Sequence, residues 1–264
     1  MHETTDHTDV LVVGGGLAGL TAGLFTARAG LDTLLVRADE SILRRNAHVE
    51  NFPGFPAGVN PRTLLDMTER QARDAGCSVR EGTVTDVRAA PDIAGSAAEA
   101  EADTAAAHDP RFEVAVDGDR LLAAFVVVAT KNDVGFLDSI DVGVVKRGSK
   151  TYLDCEADGR TDVDGLYAAG RVAERPHQAV VAAGHGAETA LRLVDDSDVP
   201  FYHDWVAPEG YFSGRDREIP PGCEEIDDEE RERRERDSMA TMTEWFAEPH
   251  ADAPTPHPSL VDDE

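Results

Sequence analysis

Near its N-terminus the chain reads Asp9-Val10-Leu11-Val12-Val13-Gly14-Gly15-Gly16-Leu17-Ala18-Gly19-Leu20. The apolar run before the glycines is typical of a buried parallel strand. After the glycines, apolar residues recur at helical spacing, and Gly30 stands where a helix would end. A strand, a G-x-G-x-x-G pattern and a helix in this order predict a dinucleotide-binding unit rather than a plain glycine turn.

Each glycine of that pattern has its own physical role. Gly14 permits a tight turn, Gly16 lets the backbone approach a pyrophosphate, and Gly19 lets the helix pack close to the strand. The helix that begins at Leu17 and Ala18 offers unpaired N–H groups and the positive end of its dipole to an anion. We therefore expect these five residues to hold a pyrophosphate.

A second strand, Thr33–Val36, completes a βαβ unit. An acidic residue usually ends this strand and binds the adenosine ribose, but here the position holds Arg37. Asp39 or Glu40 could bind the ribose instead, Arg37 could bind a phosphate, or Arg37 could be an ordinary solvated side chain. The sequence leaves these alternatives open.

The acidic composition indicates adaptation to a salty solvent rather than to a binding partner. The 264 residues carry 52 acidic and 25 basic side chains, a net charge of −27, and their only lysines are Lys131, Lys146 and Lys150. This balance resembles that of cytoplasmic proteins from extreme halophiles, in which salt screens the self-repulsion. It argues against nucleic acid and anionic membranes as partners, because both would be repelled.

Location and redox chemistry follow from simple patterns. The chain has no apolar run long enough for a membrane span and no secretion signal, so we expect a cytoplasmic protein. Cys77, Cys155 and Cys223 form no C-x-x-C pair and are expected as free thiols, with a Cys155–Cys223 disulfide as the alternative. Histidine and cysteine spacings predict no metal site.

The chain divides into two regions. Residues 8–195 are expected to form an α/β domain, interrupted at about 90–110 by a disordered acidic loop. Residues 196–264 are expected to form an extension with a charged helix at about 224–246 and a disordered end. This extension either wraps the surface and completes the core or serves as a dimer arm.

Three separated stretches resemble thioredoxin reductase and its low-molecular-weight flavoprotein relatives. They are Val10–Gly19, Val49–Pro56 (VENFPGFP) and Thr161–Ala190. The resemblance implies a three-layer α/β fold, a Rossmann-like FAD/NAD(P)-binding domain with a parallel sheet and a small antiparallel β-meander, followed here by a C-terminal helical extension. It implies FAD as the cofactor, with the N-terminus of a final helix facing the flavin and favouring its reduced, anionic form.

The resemblance also implies cofactor contacts beyond the glycine motif. Asn51 would lie near the flavin, and Gly170, Gln178 and Ala179 would border the flavin and its ribityl chain. The A-T-G turn of the family reads Ala129-Thr130-Lys131 here, and its Gly-Asp pair reads Gly170-Arg171. The second change removes the carboxylate that binds the ribityl hydroxyls in the family.

Larger departures separate the chain from a classical reductase. The closing motif follows the Thr130 strand end after only about 30 residues, so the inserted NADPH domain and its C-x-x-C are missing. The Gly-Gly-Gln after the second strand is replaced by Ser41–Arg45. Transfer of electrons from NADPH to thioredoxin is therefore not predicted.

Arg37, Lys131 and Arg171 place positive charge at positions that line the dinucleotide in the family. One hypothesis is a pocket that binds phosphates by charge or takes a more highly phosphorylated nucleotide. The alternative is salt-adapted surface positions. The histidines near the motifs could move protons beside a flavin, but a structural role is favoured for each: His48, His177 and His185.

Two functions from different classes follow. The first is an FAD-binding oxidoreductase without its own NADPH domain or dithiol, which takes electrons from a separate donor and acts on a small-molecule or protein redox partner, with a homodimer as an option. The second is a non-catalytic dinucleotide-binding module with a regulatory or assembly role. The sequence identifies neither a catalytic residue nor a substrate.

Overall fold

A computed structural model describes residues 6–38, 40–91 and 108–257. That part of the chain contains the following helices and strands: β1 (Asp6–Val13), α1 (Leu17–Arg28), β2 (Thr33–Arg37), α2 (Pro61–Asp74), β3 (Ser78–Glu81), β4 (Val84–Ala89), β5 (Phe112–Val116), β6 (Asp119–Val128), β7 (Val144–Arg147), β8 (Lys150–Leu153), β9 (Leu166–Ala168), α3 (Ala179–Asp196), β10 (Trp205–Pro208), β11 (Cys223–Ile226) and α4 (Asp228–Trp245).

Seven strands form the main sheet, in the order β3-β2-β1-β6-β5-β4, and β9 also pairs with β6. The strands β3, β2, β1, β6 and β9 are parallel, whereas β4, β5 and β6 form an antiparallel meander. One edge of β6 pairs with β1, and the other pairs first with β5 and then with β9. The predicted fold class is confirmed.

The core lies on both faces of the sheet, because successive residues of a strand face opposite sides. In β1, Val10 and Val12 pack under α1, α2 and α3, while Leu11 and Val13 pack toward the meander. In β6, Phe125 and Val127 face the same side as Val10 and Val12, whereas Val126 and Val128 face the opposite side. Helices, parallel sheet and meander therefore make three layers.

Small residues let α1 and α3 lie against each other. A Cβ atom on Gly186 of α3 would overlap the backbone of Ala18 in α1. A Cβ on Gly170, just after β9, would lie 2.6 Å from the Cβ of Ala18. By contrast, a Cβ on Gly184 would meet nothing within 4 Å. Because α1 follows β1 and α3 follows β9, both helices begin at the carboxyl edge of the sheet.

The charged helix α4 begins later than the sequence predicts. Residues 223–226 form β11, which pairs with β10, and α4 begins only at Asp228. The Glu225 carboxylate accepts hydrogen bonds from the N–H groups of Gly210 (3.0 Å) and Ser213 (3.0 Å). These contacts hold Glu225 in an extended segment, which corrects the predicted start of the helix.

The predicted disordered loop at 90–110 lies only partly in the described chain. Its far end is ordered, because Nδ1 of His108 lies 2.9 Å from the Asp9 carboxylate and Nε2 lies 2.7 Å from the Ser197 carbonyl oxygen. The prediction is therefore wrong at His108, whose partners are distant in sequence. Residues 92–107 lie outside the described residues.

The end of the extension also departs from its prediction of disorder. Nε2 of His250 lies 2.9 Å from the Asp66 carboxylate. The N–H of Thr255 donates to the Arg44 carbonyl (3.2 Å), and its hydroxyl donates to Glu40 (2.8 Å). Up to residue 257 the extension thus wraps the surface, although α4 itself contributes no buried residue. Residues 258–264 lie outside the described part.

Two further expectations concern membranes and thiols. In the described chain, no helix is both long and apolar enough to cross a membrane. All three cysteines are free, so the alternative of a Cys155–Cys223 disulfide is wrong.

The contact between α1 and α3 can be tested with two substitutions on one helix. Gly186→Ala should lower the free energy of unfolding by about 1–3 kcal/mol, because the new methyl group must displace the backbone of α1. Gly184→Ala should raise it by about 0.5–1 kcal/mol, because alanine favours a helix and nothing obstructs its methyl. Chemical unfolding in constant molar salt measures both, and equal effects would contradict the contact.

Candidate functional site

Three parallel strands end together at one edge of the sheet. Gly14 follows β1 with a φ of +120°, and a Cβ there would lie 2.6 Å from the carbonyl oxygen of Ala129, which follows β6. The N–H of Ala169, after β9, donates to the carbonyl of Val128 (2.8 Å). Ligands of open α/β sheets bind outside this carboxyl edge, so the candidate site lies here.

Helices α1 and α3 begin at this edge without a capping side chain. The N-cap of α1 is Gly16, and the N-cap of α3 is Gln178, whose side chain bonds no amide of the first turn. By contrast, Asn60 accepts a hydrogen bond at the start of α2, and Asp227 accepts one at the start of α4. Among the described α-helices, α1 and α3 are therefore the two whose first amides are left for water or a ligand.

The glycines of the motif differ in what requires them. A Cβ on Gly19 would overlap the carbonyl oxygen of Gly14, so the packing of α1 on β1 requires glycine there. A Cβ on Gly16 would meet only the Ser41 hydroxyl, at an ordinary 3.6 Å, and the φ of Gly16 is −83°. The fold itself thus leaves open space at Gly16, and the space fits a pyrophosphate that approaches the backbone.

Two predicted site residues from distant parts of the chain are in contact. Nδ2 of Asn51 donates a hydrogen bond to Oε1 of Gln178 (2.7 Å). The loop that carries Asn51 is held by a bridge between Val49 and Val59. Asn51 therefore lies at the N-terminus of α3, where it contacts the N-cap residue Gln178.

His185 has a structural role that links α3 to the end of β9. The N–H of Gly170 donates to Nδ1 of His185 (2.9 Å), so the ring proton is on Nε2, which donates to the Ala157 carbonyl (3.0 Å). Burial lowers the pKa of His185 below its ordinary value, which favours this neutral form. Both ring nitrogens are occupied, as a structural histidine requires.

Arg37 is held by carboxylates rather than freely solvated. Its guanidinium nitrogens lie 3.1 Å from Glu69 and 3.3 Å from Glu81, and its aliphatic carbons lie against Gly15. Its Nε is buried without a hydrogen-bond partner in the described chain. Of the alternatives for a ribose contact, Glu40 binds Thr255, and Asp39 lies outside the described residues.

The other two predicted cations lie near each other. Val128 pairs with Ala168 in the sheet, and Lys131 and Arg171 each follow these residues by three positions. Partial desolvation lowers the pKa of His177, whose side chain is exposed, and the positive charges of Arg171, Lys150 and Lys131 lower it further. The hydroxyl of Thr130 donates to the Asp133 carbonyl (2.9 Å), so it is used within its own turn.

One cavity is separate from this edge. It measures about 400 Å³ and lies at the opposite ends of α1 and α3, where Phe25, Leu191 and Asp195 contribute to its lining. No group of histidines, cysteines and carboxylates in the described chain could hold a metal ion. The strand edge, rather than the cavity, is the candidate site because helix N-termini converge there.

Lys150 also lies near this edge, although its position in the sequence does not predict this. It lies on β8, which packs against the turn Gly170–Ala173, and this neighbourhood depends on the folded hairpin. The scarcity of lysine could have drawn attention to Lys150. Two of the chain's three lysines, Lys131 and Lys150, lower the pKa of His177.

Comparison with known proteins gives a family match over the N-terminal unit. Residues 9–47 match a family model described as an FAD binding domain. A thioredoxin reductase from Aquifex aeolicus is 39% identical over 87 residues, which cover 31% of this chain and 27% of that protein. One from Listeria monocytogenes is 37% identical over 81 residues, 30% and 25% of the two chains. The chain thus spans about a quarter of the length of these curated relatives.

Solved structures support the same fold. A thioredoxin reductase from Streptococcus pyogenes aligns with a TM-score of 0.60 at 11% identity, covering 74% of this chain and 99% of the other. An oxidoreductase from Agrobacterium tumefaciens aligns with a TM-score of 0.58 at 16% identity, covering 72% and 98%. The comparisons confirm the predicted resemblance and the Rossmann-like fold, and they indicate FAD as the dinucleotide.

Replacement of His185 should remove part of the acid sensitivity of the fold. The pKa of His185 is lowered in the folded protein, so below about pH 6.5 the unfolded chain binds more protons than the folded chain does. The free energy of unfolding therefore decreases as the pH is lowered. His185→Asn should cost about 1–3 kcal/mol near neutral pH through lost hydrogen bonds. Its free energy of unfolding should then fall less steeply than that of the wild type as the pH is lowered. Parallel pH profiles would contradict this role.

Proposed function

We propose that this chain binds FAD and acts as an oxidoreductase related to thioredoxin reductase, with an electron donor outside the chain. One observation carries the proposal: the uncapped N-termini of α1 and α3 lie at one strand edge, beside backbone that is open at Gly16. Bound FAD would supply two-electron redox chemistry, and the chain would bind and orient it.

The proposed contacts divide between the two helices. The start of α1 would hold the pyrophosphate on its backbone amides, through Gly14, Gly16, Leu17, Ala18 and Gly19. The start of α3 would border the flavin and the ribityl chain, through Asn51, Thr130, Gly170, Gln178 and Ala179. Arg37 would add positive charge beside the start of α1, and Lys131 and Arg171 would add it near the start of α3.

An external donor is proposed because of what joins β6 to β9. Residues 129–165 form a short helical turn and the β7–β8 hairpin, and nothing larger lies in this described connection. Burial raises the pKa of Cys77 to about 11 and also raises that of Cys155, so both thiols are poor nucleophiles. These features support electron transfer without a dithiol of this chain.

The partner would be a protein or a small molecule. The relatives are named for thioredoxin, so a protein of that kind is one candidate, and a homodimer is part of the same proposal. The second candidate function is a dinucleotide-binding module without turnover. It is favoured by Arg171, which stands where the family has the carboxylate for the ribityl hydroxyls.

FAD binding is tested by Gly16→Ala. Since a methyl group at this position has room in the protein, the unfolding free energy should stay within about 0.5 kcal/mol of the wild type. The methyl group would meet the pyrophosphate, however, so FAD affinity should fall at least about tenfold, which is about 1.4 kcal/mol. Fluorescence titration with FAD in molar salt measures the affinity, with Gly184→Ala as the matched control. Equal affinities for the three proteins would contradict the proposed site.

Turnover separates the two candidate functions. Protein loaded with FAD should lose its visible flavin absorbance on addition of NADH, NADPH or an enzymatic donor, and regain it with an electron acceptor over repeated cycles. Rapid-scan spectroscopy without oxygen follows both steps, and dithionite supplies the reference spectrum of the reduced protein. A flavin that dithionite reduces but no donor reduces would support the binding module instead.

A further inference from the structure

We propose that Lys131, Lys150 and Arg171 form a second anion subsite that holds the phosphate or carboxylate group of a co-substrate. The subsite is separate from the pyrophosphate position at the start of α1. The inference rests on the proposed function, because this co-substrate would meet a cofactor bound at the start of α3.

The fold brings these three cations to one place from three elements. Lys131 and Arg171 follow adjacent strands, β6 and β9, at equivalent positions of their register. Lys150 begins β8, which packs against the turn that contains Arg171. An ion pair between Arg147 of the same hairpin and Glu174, which directly follows this turn, holds the hairpin there (2.9 Å).

These cations are not neutralised by the protein. Most described arginines of this acidic chain form ion pairs, including Arg147 on the same hairpin as Lys150. Lys131, Lys150 and Arg171 have no ion-pair partner among the described residues, and Nε of Arg171 is buried without a hydrogen bond. In a chain with a net charge of −27, a cluster of unpaired positive charges is the opposite of what salt adaptation produces.

The three cations lie close enough to His177 for each of them to lower its pKa. It is exposed and stands immediately before Gln178, the N-cap of α3. All the described charges that shift its pKa are positive, namely Arg171, Lys150 and Lys131. An anion bound among them would therefore lie at the entrance to the start of α3.

The chemistry of the ligand follows from the donors. Two ammonium groups and a guanidinium group bind oxyanions, phosphate and carboxylate alike. At molar ionic strength the screening length is only about 3 Å, so the bound group must contact the cations directly. An anionic reactant would then be held at the site despite the negative charge of the rest of the chain.

The hairpin supplies a matched pair of variants. Lys150→Gln removes one cation of the subsite, whereas Lys146→Gln removes an exposed lysine of β7 that does not act on His177. NMR titration of His177 in the full chain, assigned with His177→Asn, reports the local field in constant potassium chloride. Lys150→Gln should raise the pKa of His177, and Lys146→Gln should leave it unchanged.

Ligand binding is measured on the same signal with inorganic phosphate and, separately, acetate. Saturation should raise the pKa of His177, and Lys150→Gln should weaken the binding at least about threefold, as for an exposed ion pair. Stronger binding of phosphate would identify a phosphorylated co-substrate, and stronger binding of acetate a carboxylate. Neither anion binding, or equal weakening in both lysine variants, would overturn the subsite.

Titrations with and without FAD separate this inference from the proposed function. Phosphate or acetate binding that persists in FAD-loaded protein supports a second subsite. Loss of this binding on FAD loading would overturn it, because the cations would then be contacts of the cofactor phosphates. If FAD does not bind at all, the proposed function fails, while the titration of the FAD-free protein still decides whether the three cations hold an anion.

Discussion

The close approach of α1 and α3 around Ala18 is the contact on which the site depends. Gly170 and Gly186 leave room for this alanine from two different elements, and His185 fastens the N–H of Gly170 to α3. A larger residue at these glycines would push α3 away from α1. The two helix starts would then no longer share one edge of the sheet, and neither could contribute its dipole to the same ligand.

The starts of α1 and α3 at this edge lack the side-chain caps that the other two described α-helices have. Asn60 caps α2 and Asp227 caps α4, whereas α1 and α3 have no capping side chain. Elsewhere, the Glu225 carboxylate accepts a hydrogen bond from a loop N–H group. The cations near this edge differ from one another, because Arg37 is paired with two carboxylates, whereas Lys131 has no ion-pair partner in the described chain. Uncapped helix starts and unpaired cations that gather at one edge of the sheet favour ligand binding there.

The sequence predicted elements whose signals are local. The strand, glycines and helix around Gly14 and the Asn60-Pro61 start of α2 are each specified within a few residues, and the structure has them. The prediction from sequence was wrong where contacts with residues distant in the chain determine the local structure. Glu225 lies in a charged run with helical propensity, yet pairing with β10 makes it a strand, and His108 is ordered by Asp9, far away in the sequence. Lys150 was missed for the same reason, since only the folded hairpin places it beside Arg171.

The pairing of β6 also has a consequence for how the chain assembles. β1 is synthesised early, but one of its edges can pair only after β6 has been synthesised. β6 in turn completes its pairing only after β9 has been synthesised. Until then an apolar strand has an unpaired edge, which is a template for aggregation. Because these contacts join residues far apart in sequence, folding should be slow.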